Sequence, residues 1–287
     1  MLKNAIVYSV IMPGFEKMSD TVTSDVMKAR KPLENEQLTR GWGDNAVVAL
    51  NNGYRLSLTI WEKKIKPSIV RQLTNEQCDL FDRQVTKKER QEIQTEITTD
   101  LIRVTPAEKK VIHAYYLTES CQLIVDAGSA NDAEAMVGFI RMTLGSLKTT
   151  TLHVDMVNGL TKHIRDYLEN SNQMFLPHYK LGGDIKLVDL NGANVTYKGL
   201  NLTDEGTAGE IIAMIDEAFM TVKSVEMVSL DESFSFTLTD GFKFKQIKFE
   251  ATDTDDVYDD LASETYTISR LVNELVGRFD AVGEDED

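Results

Sequence analysis

Short runs in which apolar and polar residues alternate predict that much of this chain is β-strand. The clearest case is a hairpin, in which Asn51-Asn52-Gly53 separates the alternating runs Ala46–Leu50 and Tyr54–Ile60. An Asn-Gly pair between two such runs is a strong hairpin signal because both residues tolerate positive φ. The same alternation predicts strands over residues 3–11, 111–117, 122–126, 149–152, 184–190, 194–197, 221–230, 234–239 and 242–250.

Apolar residues spaced three or four positions apart predict the helices. Pro67 opens a helical arm that continues to about residue 100, since proline is favoured in the first turn of a helix. Gly145 closes a helix over 130–144. Further helices are predicted over residues 15–30, 157–168, 204–219 and 257–278. Helices and hairpins alternate irregularly, so the predicted fold class is α+β with largely antiparallel sheets and flanking helices.

Charge is distributed unevenly along the 287 residues. The chain holds 31 basic and 46 acidic residues, and this net charge of −15 by itself argues against binding to nucleic acid. However, 22 acidic and 6 basic residues lie between Leu200 and Asp287, a net charge of −16. Residues 1–199 therefore hold 24 acidic and 25 basic residues, and this nearly neutral part can present a basic face.

Several classes of protein are not indicated by the sequence. No run approaches the roughly 18 apolar residues of a membrane helix, and the N-terminus lacks the apolar region of a signal peptide, so a cytoplasmic location is expected. Cys78 and Cys121 fit no metal-binding spacing and are expected to be reduced thiols. The four histidines show no zinc-ligand spacing, and no cofactor is predicted.

A metal-dependent nuclease is the one enzymatic function that the residues suggest. Glu62-Lys63-Lys64 and Asp184-Ile185-Lys186 each place a lysine two positions after an acid, but neither has a defined partner carboxylate. The aspartates between positions 253 and 260 are attributed to the solvated start of the last helix, where acids are favoured. The chain is therefore predicted not to be an enzyme.

Seven segments, spread from one end of the chain to the other, resemble the RdgC family in the same order. The strongest reads Leu-Ile-Val-Asp-Ala-Gly-Ser-Ala at 123–130 and is followed by Ala133-Glu134 and Leu144-Gly145-Ser146-Leu147. The other matching segments are residues 2–8, Gly41-Trp42, Asn52-Gly53 with 62–72, 201–203, 239–241 with 245–249, and 267–275. No segment is very specific alone, but ordered agreement over nearly the whole chain identifies it as similar to this family.

The resemblance implies both a fold and a function. It implies an elongated, horseshoe-like subunit and a homodimer that closes into a ring, whose basic hole encircles double-stranded DNA without sequence preference. Such a protein would act at the nucleoid and restrain recombinase loading or strand exchange, with a recombinase as a further candidate partner. The alternative is a protein-interaction module that inhibits a recombinase or a host factor, because the acidic last third could compete with DNA for a basic groove.

Basic residues in the first 199 positions are the candidates for contact with DNA phosphates, and no base edge needs to be read. The predicted DNA-binding residues are Lys64, Lys87, Lys88, Arg90, Arg103, Lys109 and Lys198. The resemblance places Lys64 and Lys198 at basic positions of the family. Lys87 and Arg90 share a helix face. For each of these residues, solvation or pairing with nearby acids is the alternative.

Two aromatic-rich strands near the C-terminus offer a further possibility. Lys243 and Lys245 alternate with Phe242 and Phe244, so both lysines are predicted to point to one face of a strand. Phenylalanines here could stack on bases, but core packing of a hairpin is the favoured interpretation.

The predicted domain organisation has four parts. A central α+β region covers 1–66 and 109–178, a helical arm covers 67–108, a C-terminal α+β region covers 179–280 and a disordered acidic tail covers 281–287. One segment departs from the family, which has Leu-Pro-Arg-Ala-Phe after the arm with a phenylalanine that helps to close the dimer. Here Pro106 stands near that phenylalanine, so ring closure is expected to use different or weaker contacts.

Overall fold

The computed structural model describes residues 2–11, 27–153, 159–170, 175–250, 257–279 and 282–285. The strands in these residues are β1 (Ile6–Ile11), β2 (Leu38–Leu50), β3 (Gly53–Glu62), β4 (Glu108–Leu117), β5 (Gln122–Asp126), β6 (Lys148–His153), β7 (Tyr179–Val188), β8 (Asn194–Tyr197), β9 (Thr221–Ser229), β10 (Phe234–Thr239), β11 (Phe244–Phe249) and β12 (Val282–Asp285). The helices are α1 (Pro67–Asp79), α2 (Lys87–Val104), α3 (Ala130–Leu144), α4 (Leu160–Glu169), α5 (Glu205–Asp216) and α6 (Val257–Phe279).

The strands form two antiparallel sheets, which confirms the predicted α+β class. The larger sheet has the strand order β12-β6-β1-β5-β4-β3-β2, and the smaller has the order β11-β10-β9-β7-β8. Hairpins join β2 to β3, β4 to β5, β9 to β10 and β10 to β11, so most neighbouring strands are also neighbours in sequence. Short connections of this kind are typical of antiparallel sheets.

The chain divides into two compact units. The first contains Met1–Phe15, Val47–Leu56 and His113–Asp287, and the second contains Glu16–Ala46 and Ser57–Ile112. The second unit holds α1 and α2, which together make up most of the predicted helical arm. The first unit holds the whole smaller sheet and helices α3 to α6.

The core of the first unit lies against one face of the smaller sheet. Apolar side chains of α4, α5 and α6 share a buried cluster with alternate residues of β7, β9, β10 and β11. Phe236 and Phe244 are both 1% exposed, and their rings lie 5.5 Å apart. The residues that alternate with these buried ones lie on the opposite face of the sheet, as in many antiparallel sheets.

The residues that precede β1 connect the two sheets of the first unit. Ala5 and Phe244 exchange two backbone hydrogen bonds of 2.8 and 2.9 Å, and the Ile247 N–H donates to the Lys3 carbonyl at 3.0 Å. The Leu2 side chain is buried, and its N–H donates to the Glu264 carboxylate at 2.9 Å. These bonds cover the edge of β11, which would otherwise present unpaired backbone groups.

The structure extends two of the predicted strands. β2 begins at Leu38 instead of residue 46, and β7 begins at Tyr179 instead of residue 184. The added part of β2 includes Gly41, where the chain at Ala29 packs closely: a Cβ atom on Gly41 would lie 2.4 Å from the backbone nitrogen of Ala29. The chain at residues 28 and 29 runs beside Trp42 at this point, with an Ala29 N–H bond to the Trp42 carbonyl of 2.9 Å.

Other differences concern the helices and the tail. The predicted arm is two helices, because α1 ends at Asp79 and α2 begins at Lys87. The helix predicted over 15–30 lies mostly outside the described residues, and so do the aspartates at 253, 255 and 256. Within the tail that was predicted to be disordered, Val282–Asp285 form β12 and pair with β6.

Removal of a core phenylalanine tests this packing. Phe236→Ala is expected to lower the free energy of unfolding by about 3–5 kcal/mol, because it deletes a buried ring and leaves a cavity. Urea denaturation followed by circular dichroism measures the change. Phe219 is 74% exposed, so the matched variant Phe219→Ala should shift the free energy by no more than about 0.5 kcal/mol. Equal effects of the two substitutions would contradict the assigned core.

Candidate nucleic-acid interface

The start of α2 is fixed by a capping box. The Thr86 hydroxyl accepts the Glu89 N–H at 3.3 Å, and the Glu89 carboxylate accepts the Thr86 N–H at 2.9 Å. These bonds satisfy backbone donors that a helix start leaves unpaired. The Arg83 guanidinium adds two bonds to Glu89, of 2.5 and 3.0 Å. The loop before α2 is thereby tied to its first turn, which carries Lys87 and Lys88.

Three predicted DNA-binding residues lie within this first part of α2. The Arg90 guanidinium donates a hydrogen bond to the Asn75 side chain on α1. The Lys88 ammonium lies 4.0 Å from the Glu92 carboxylate, as the alternative interpretation predicted. Lys87 is exposed, and within the described residues it has no ion pair. The cluster therefore presents one unpaired lysine and two basic groups with weak or neutral partners.

A second group of predicted residues lies at the other end of α2. The Arg103 guanidinium is 3.3 Å from the Asp100 carboxylate, and the Lys64 ammonium is 2.7 Å from the Glu108 carboxylate. Lys109 is exposed and, in the part of the chain that the structure describes, forms no ion pair. Exposed pairs of this kind stabilise a fold by only about 0–1 kcal/mol. Their basic partners can therefore exchange a carboxylate for a phosphate at little cost.

The two groups are separated by the length of α2. Lys87 and Arg103 are sixteen positions apart, which corresponds to about 24 Å along a helix that rises 1.5 Å per residue. None of the 18 residues of α2 is buried. Ile93, Ile97 and Leu101 share one half-buried side of the helix, and the exposed side chains on its other sides are available to a ligand or a partner.

Lys198 lies in the first unit, apart in the chain from the other six residues. It is exposed, and among the described residues no ion pair involves it. The following loop is bonded to β7: the Gly199 N–H donates to the Asp184 carboxylate at 2.9 Å, and the Leu200 N–H donates to the Gly183 carbonyl at 3.1 Å. Gly199 has φ 61°, a value that favours glycine. The loop thus presents Lys198 from a fixed position.

The aromatic and metal-binding alternatives have clear outcomes. Core packing is confirmed for the four phenylalanines, which are 1–2% exposed and cannot stack on bases: Phe234, Phe236, Phe242 and Phe244. Cys78 and Cys121 are free thiols. Across the described residues, no group of three or more His, Cys, Asp or Glu side chains is placed to hold a metal ion.

Two half-buried polar groups on the central strands have perturbed ionisation. His113 and Asp126 are directly opposite each other on β4 and β5. Burial is the main cause that lowers the pKa of His113 and raises the pKa of Asp126. The Asp126 carboxylate also accepts the Asn4 N–H at 3.3 Å. Asp126 thereby joins the N-terminal segment to the sheet, which is a structural role.

Comparison with known proteins shows which family this chain belongs to. Residues 1–271 match the family model described as "Putative exonuclease, RdgC". The chain belongs to the RdgC family. It is 24% identical over 272 residues to a protein of Colwellia psychrerythraea named "Recombination-associated protein RdgC", with 86% of each chain covered. Proteins of the same name in Shewanella denitrificans and Dechloromonas aromatica are 26% and 23% identical, covering 72% and 90% of this chain and 67% and 91% of theirs.

The end of α2 leads into the segment where Pro106 was expected to change ring closure in this RdgC protein. α2 ends at Val104, and Thr105 is its C-cap. Pro106 follows immediately and is exposed. Val104 is 77% exposed.

The sequence prediction gave no role to three lysines that the structure places on one sheet surface of this RdgC protein. They are Lys180, Lys186 and Lys248, which lie on the side of the smaller sheet opposite its buried core. Alternation with buried residues was the signal that could have identified them, and it was used only for Lys243 and Lys245.

The capping arrangement of α2 generates a prediction about pH. Hydrogen bonds from Arg83 and from the Thr86 N–H lower the pKa of Glu89 from its ordinary value of 4.5 to about 2. A depressed pKa means that the stabilisation is present above about pH 4.5 and is lost as the pH falls towards 2. An NMR titration of the Glu89 carboxyl should show this value, and Arg83→Gln should raise it. The exposed Arg71 on α1 provides the control, and an unchanged pKa in Arg83→Gln would contradict the assignment.

Proposed function

We propose that this protein binds double-stranded DNA without sequence preference, as a homodimer that closes into a ring. It would act in the cytoplasm at the nucleoid and restrain recombinase loading or strand exchange. The observation that carries the proposal is membership of the RdgC family over residues 1–271, with relatives named for an association with recombination. The recombinase is the protein partner that this function requires.

The charges of the candidate interface support contact with the DNA backbone. Lys87, Lys109 and Lys198 are exposed, and no ion pair within the described residues occupies them. Phosphate contacts made by such lysines give affinity without reading sequence. The excess of acids after residue 200 favours binding at restricted surfaces, since acidic regions repel DNA.

The exposed surface of α2 supports a role in assembly. A helix with 18 residues and no buried side chain, which ends in a Val104 that is 77% exposed, is suited to contact a second subunit. We assign no enzymatic activity to the protein, although its family description contains the word exonuclease. In the described part of the chain, no helix is long and apolar enough to cross a lipid bilayer.

Neutralising the unpaired lysines tests DNA binding. Lys87→Gln/Lys109→Gln/Lys198→Gln should weaken binding to a mixed-sequence duplex at least about tenfold at low salt, because up to three phosphate contacts are lost. Fluorescence anisotropy measures the affinity, and the labelled duplex should stay intact with magnesium or manganese. The control Arg141→Gln/Lys148→Gln/Lys162→Gln removes the same charge from exposed residues of α3, β6 and α4. Equal weakening in both variants, or release of nucleotides, would refute the proposal.

Topology of the DNA tests the ring. A closed ring should remain on covalently closed circular DNA during a wash at about 1 M salt, where phosphate contacts are screened. It should be lost when the circle is linearised, because free ends let it slide off. The retained fraction is measured by gel after pull-down of the DNA. Identical loss from circular and linear DNA would show that no ring encircles the duplex.

A further inference from the structure

The smaller sheet has one buried face and one open face. The open face consists of the residues of β7 to β11 that alternate with the core residues. Paired registers place these residues in rows across the strands. One row is Lys248-Ser235-Val228-Lys180, the next is Lys245-Thr237-Glu226, and the third is Thr239-Ser224-Lys186-Thr196.

Lysines and hydroxyl groups dominate these rows. Lys248 and Lys180 are separated by three strand spacings, which corresponds to about 14 Å. Lys245 and Lys248 flank a bulge in β11 and lie opposite Thr237 and Ser235, which are two residues or about 7 Å apart on β10. The rows therefore spread positive charge over an area that several phosphates of one duplex can reach. Serine and threonine between the lysines supply neutral hydrogen-bond donors, which also contact phosphates in protein–DNA complexes.

Most of the positive charge on the open face is available. Lys245 and Lys248 are exposed and Lys186 is half-buried, and within the described residues none of the three forms an ion pair. Lys180 is paired with Glu232 at 2.8 Å, and both side chains are exposed, so this pair is weak.

Two carboxylates on the open face accept hydrogen bonds from backbone N–H groups. The Glu226 carboxylate accepts the Gly183 N–H at 2.9 Å, and the Asp184 carboxylate accepts the Gly199 N–H at 2.9 Å. A Cβ atom on Gly182 would lie 2.5 Å from the Glu226 carboxylate, so glycine at this position makes room for that side chain. These two carboxylates fix the bulge in β7, and this role explains their presence among the lysines.

The open face contains no aromatic side chain in its five strands, all of which are fully described. The phenylalanines of β10 and β11 and Tyr179 of β7 belong to the core on the other side. Sheets that bind single-stranded nucleic acid use exposed aromatic rings as stacking platforms for bases. This face can therefore contact a phosphate backbone but cannot stack on unpaired bases, and a duplex is the nucleic acid with that chemistry.

A protein partner fits the open face less well. Protein interfaces gain most of their affinity from buried aromatic, methionine or arginine anchors. The face offers none of these, and its apolar residues are the half-buried Val228 and Val188. Its interleaved lysines and hydroxyls match the contact chemistry of a DNA backbone.

We propose that the open face of the smaller sheet is a binding surface for the phosphodiester backbone of duplex DNA, with Lys186, Lys245 and Lys248 as its contacts. The inference rests on the proposed function and assigns to it a surface in the first unit that does not depend on the helical arm. The surface recognises charge and backbone geometry, so it adds affinity equally for every sequence.

Two measurements test this surface. The first compares Lys186→Gln/Lys245→Gln/Lys248→Gln with the control triple variant defined above, which removes the same charge from the same unit. The affinity of the face variant for duplex DNA should fall at least about tenfold, and the salt dependence should fall by about 0.9 per lost contact. The control should stay within about twofold of the wild type. Thermal unfolding checks that both variants are folded.

The second measurement uses the wild type alone and does not depend on the folding of a variant. Duplex DNA should slow acetylation of Lys245 and Lys248 by an amine-reactive reagent, measured by mass spectrometry, while Lys162 on α4 reacts as before. Unprotected lysines, or a face variant that binds like the control, would overturn this surface while DNA binding by the wild type still stands. A wild type that fails to bind duplex DNA at low salt would instead overturn the proposed function, and this surface with it. Tighter binding to single-stranded oligothymidine than to duplex would also contradict the assignment.

Discussion

Burial of phenylalanines on one side of β10 and β11 determines the arrangement of the smaller sheet. Phe236 and Phe244 are each 1% exposed, and they pack with rings from neighbouring strands. Because side chains on a strand alternate between two faces, a shift of one residue would bring lysine into the core. The cost of burying an unpaired charge is far larger than that of a small packing defect. The position of Lys245 on the open face therefore follows from the burial of Phe244. Lys248 lies on the same face because the bulge at Gln246, where φ is 52°, shifts the alternation by one residue.

The helical arm is built on a different principle. α2 buries no residue, and its position is set by the Thr86 capping box, the bonds from Arg83 to Glu89 and contact with α1. Each of these interactions is exposed and individually weak. An arm of this kind contributes little to a shared core, but it presents basic side chains along about 24 Å of helix. Among the described residues, the candidate contact lysines without ion pairs are Lys87 and Lys109 in the second unit and Lys186, Lys198, Lys245 and Lys248 in the first.

Much of the fold could be predicted because its signals are local. The β2–β3 hairpin and the β9–β11 meander follow from alternation and from short polar turns, and the RdgC family was identified from ordered segments. The extension of β2 to Leu38 could not be predicted. Gly41 is needed in this part of β2 because the backbone of Ala29 lies against it, and no local pattern reports that contact. The break in the arm was readable from Thr86 and Glu89, which have the spacing of a capping box.

The candidate interface was harder to predict than the fold. A lysine is a good candidate for DNA contact only if no acid pairs with it, and the pairing acids are far away in the sequence. Lys64 pairs with Glu108, and Lys180 pairs with Glu232. No local pattern reports such pairs. Alternation with apolar neighbours does indicate which lysines point away from a core. It indicates this for Lys245, which follows Phe244, and for Lys248, which lies between Ile247 and Phe249.

We propose that this protein holds duplex DNA through its phosphate backbone, with the unpaired lysines named above as contacts. The most direct test is the dissociation constant of the wild type for one duplex over a series of salt concentrations. The six lysines that form no ion pair with any described residue predict a slope of about −5 or steeper in a plot of the logarithm of the association constant against the logarithm of salt concentration. The same slope should be found for a duplex of unrelated sequence. A slope near zero, or no binding at the lowest salt concentration, would contradict the account.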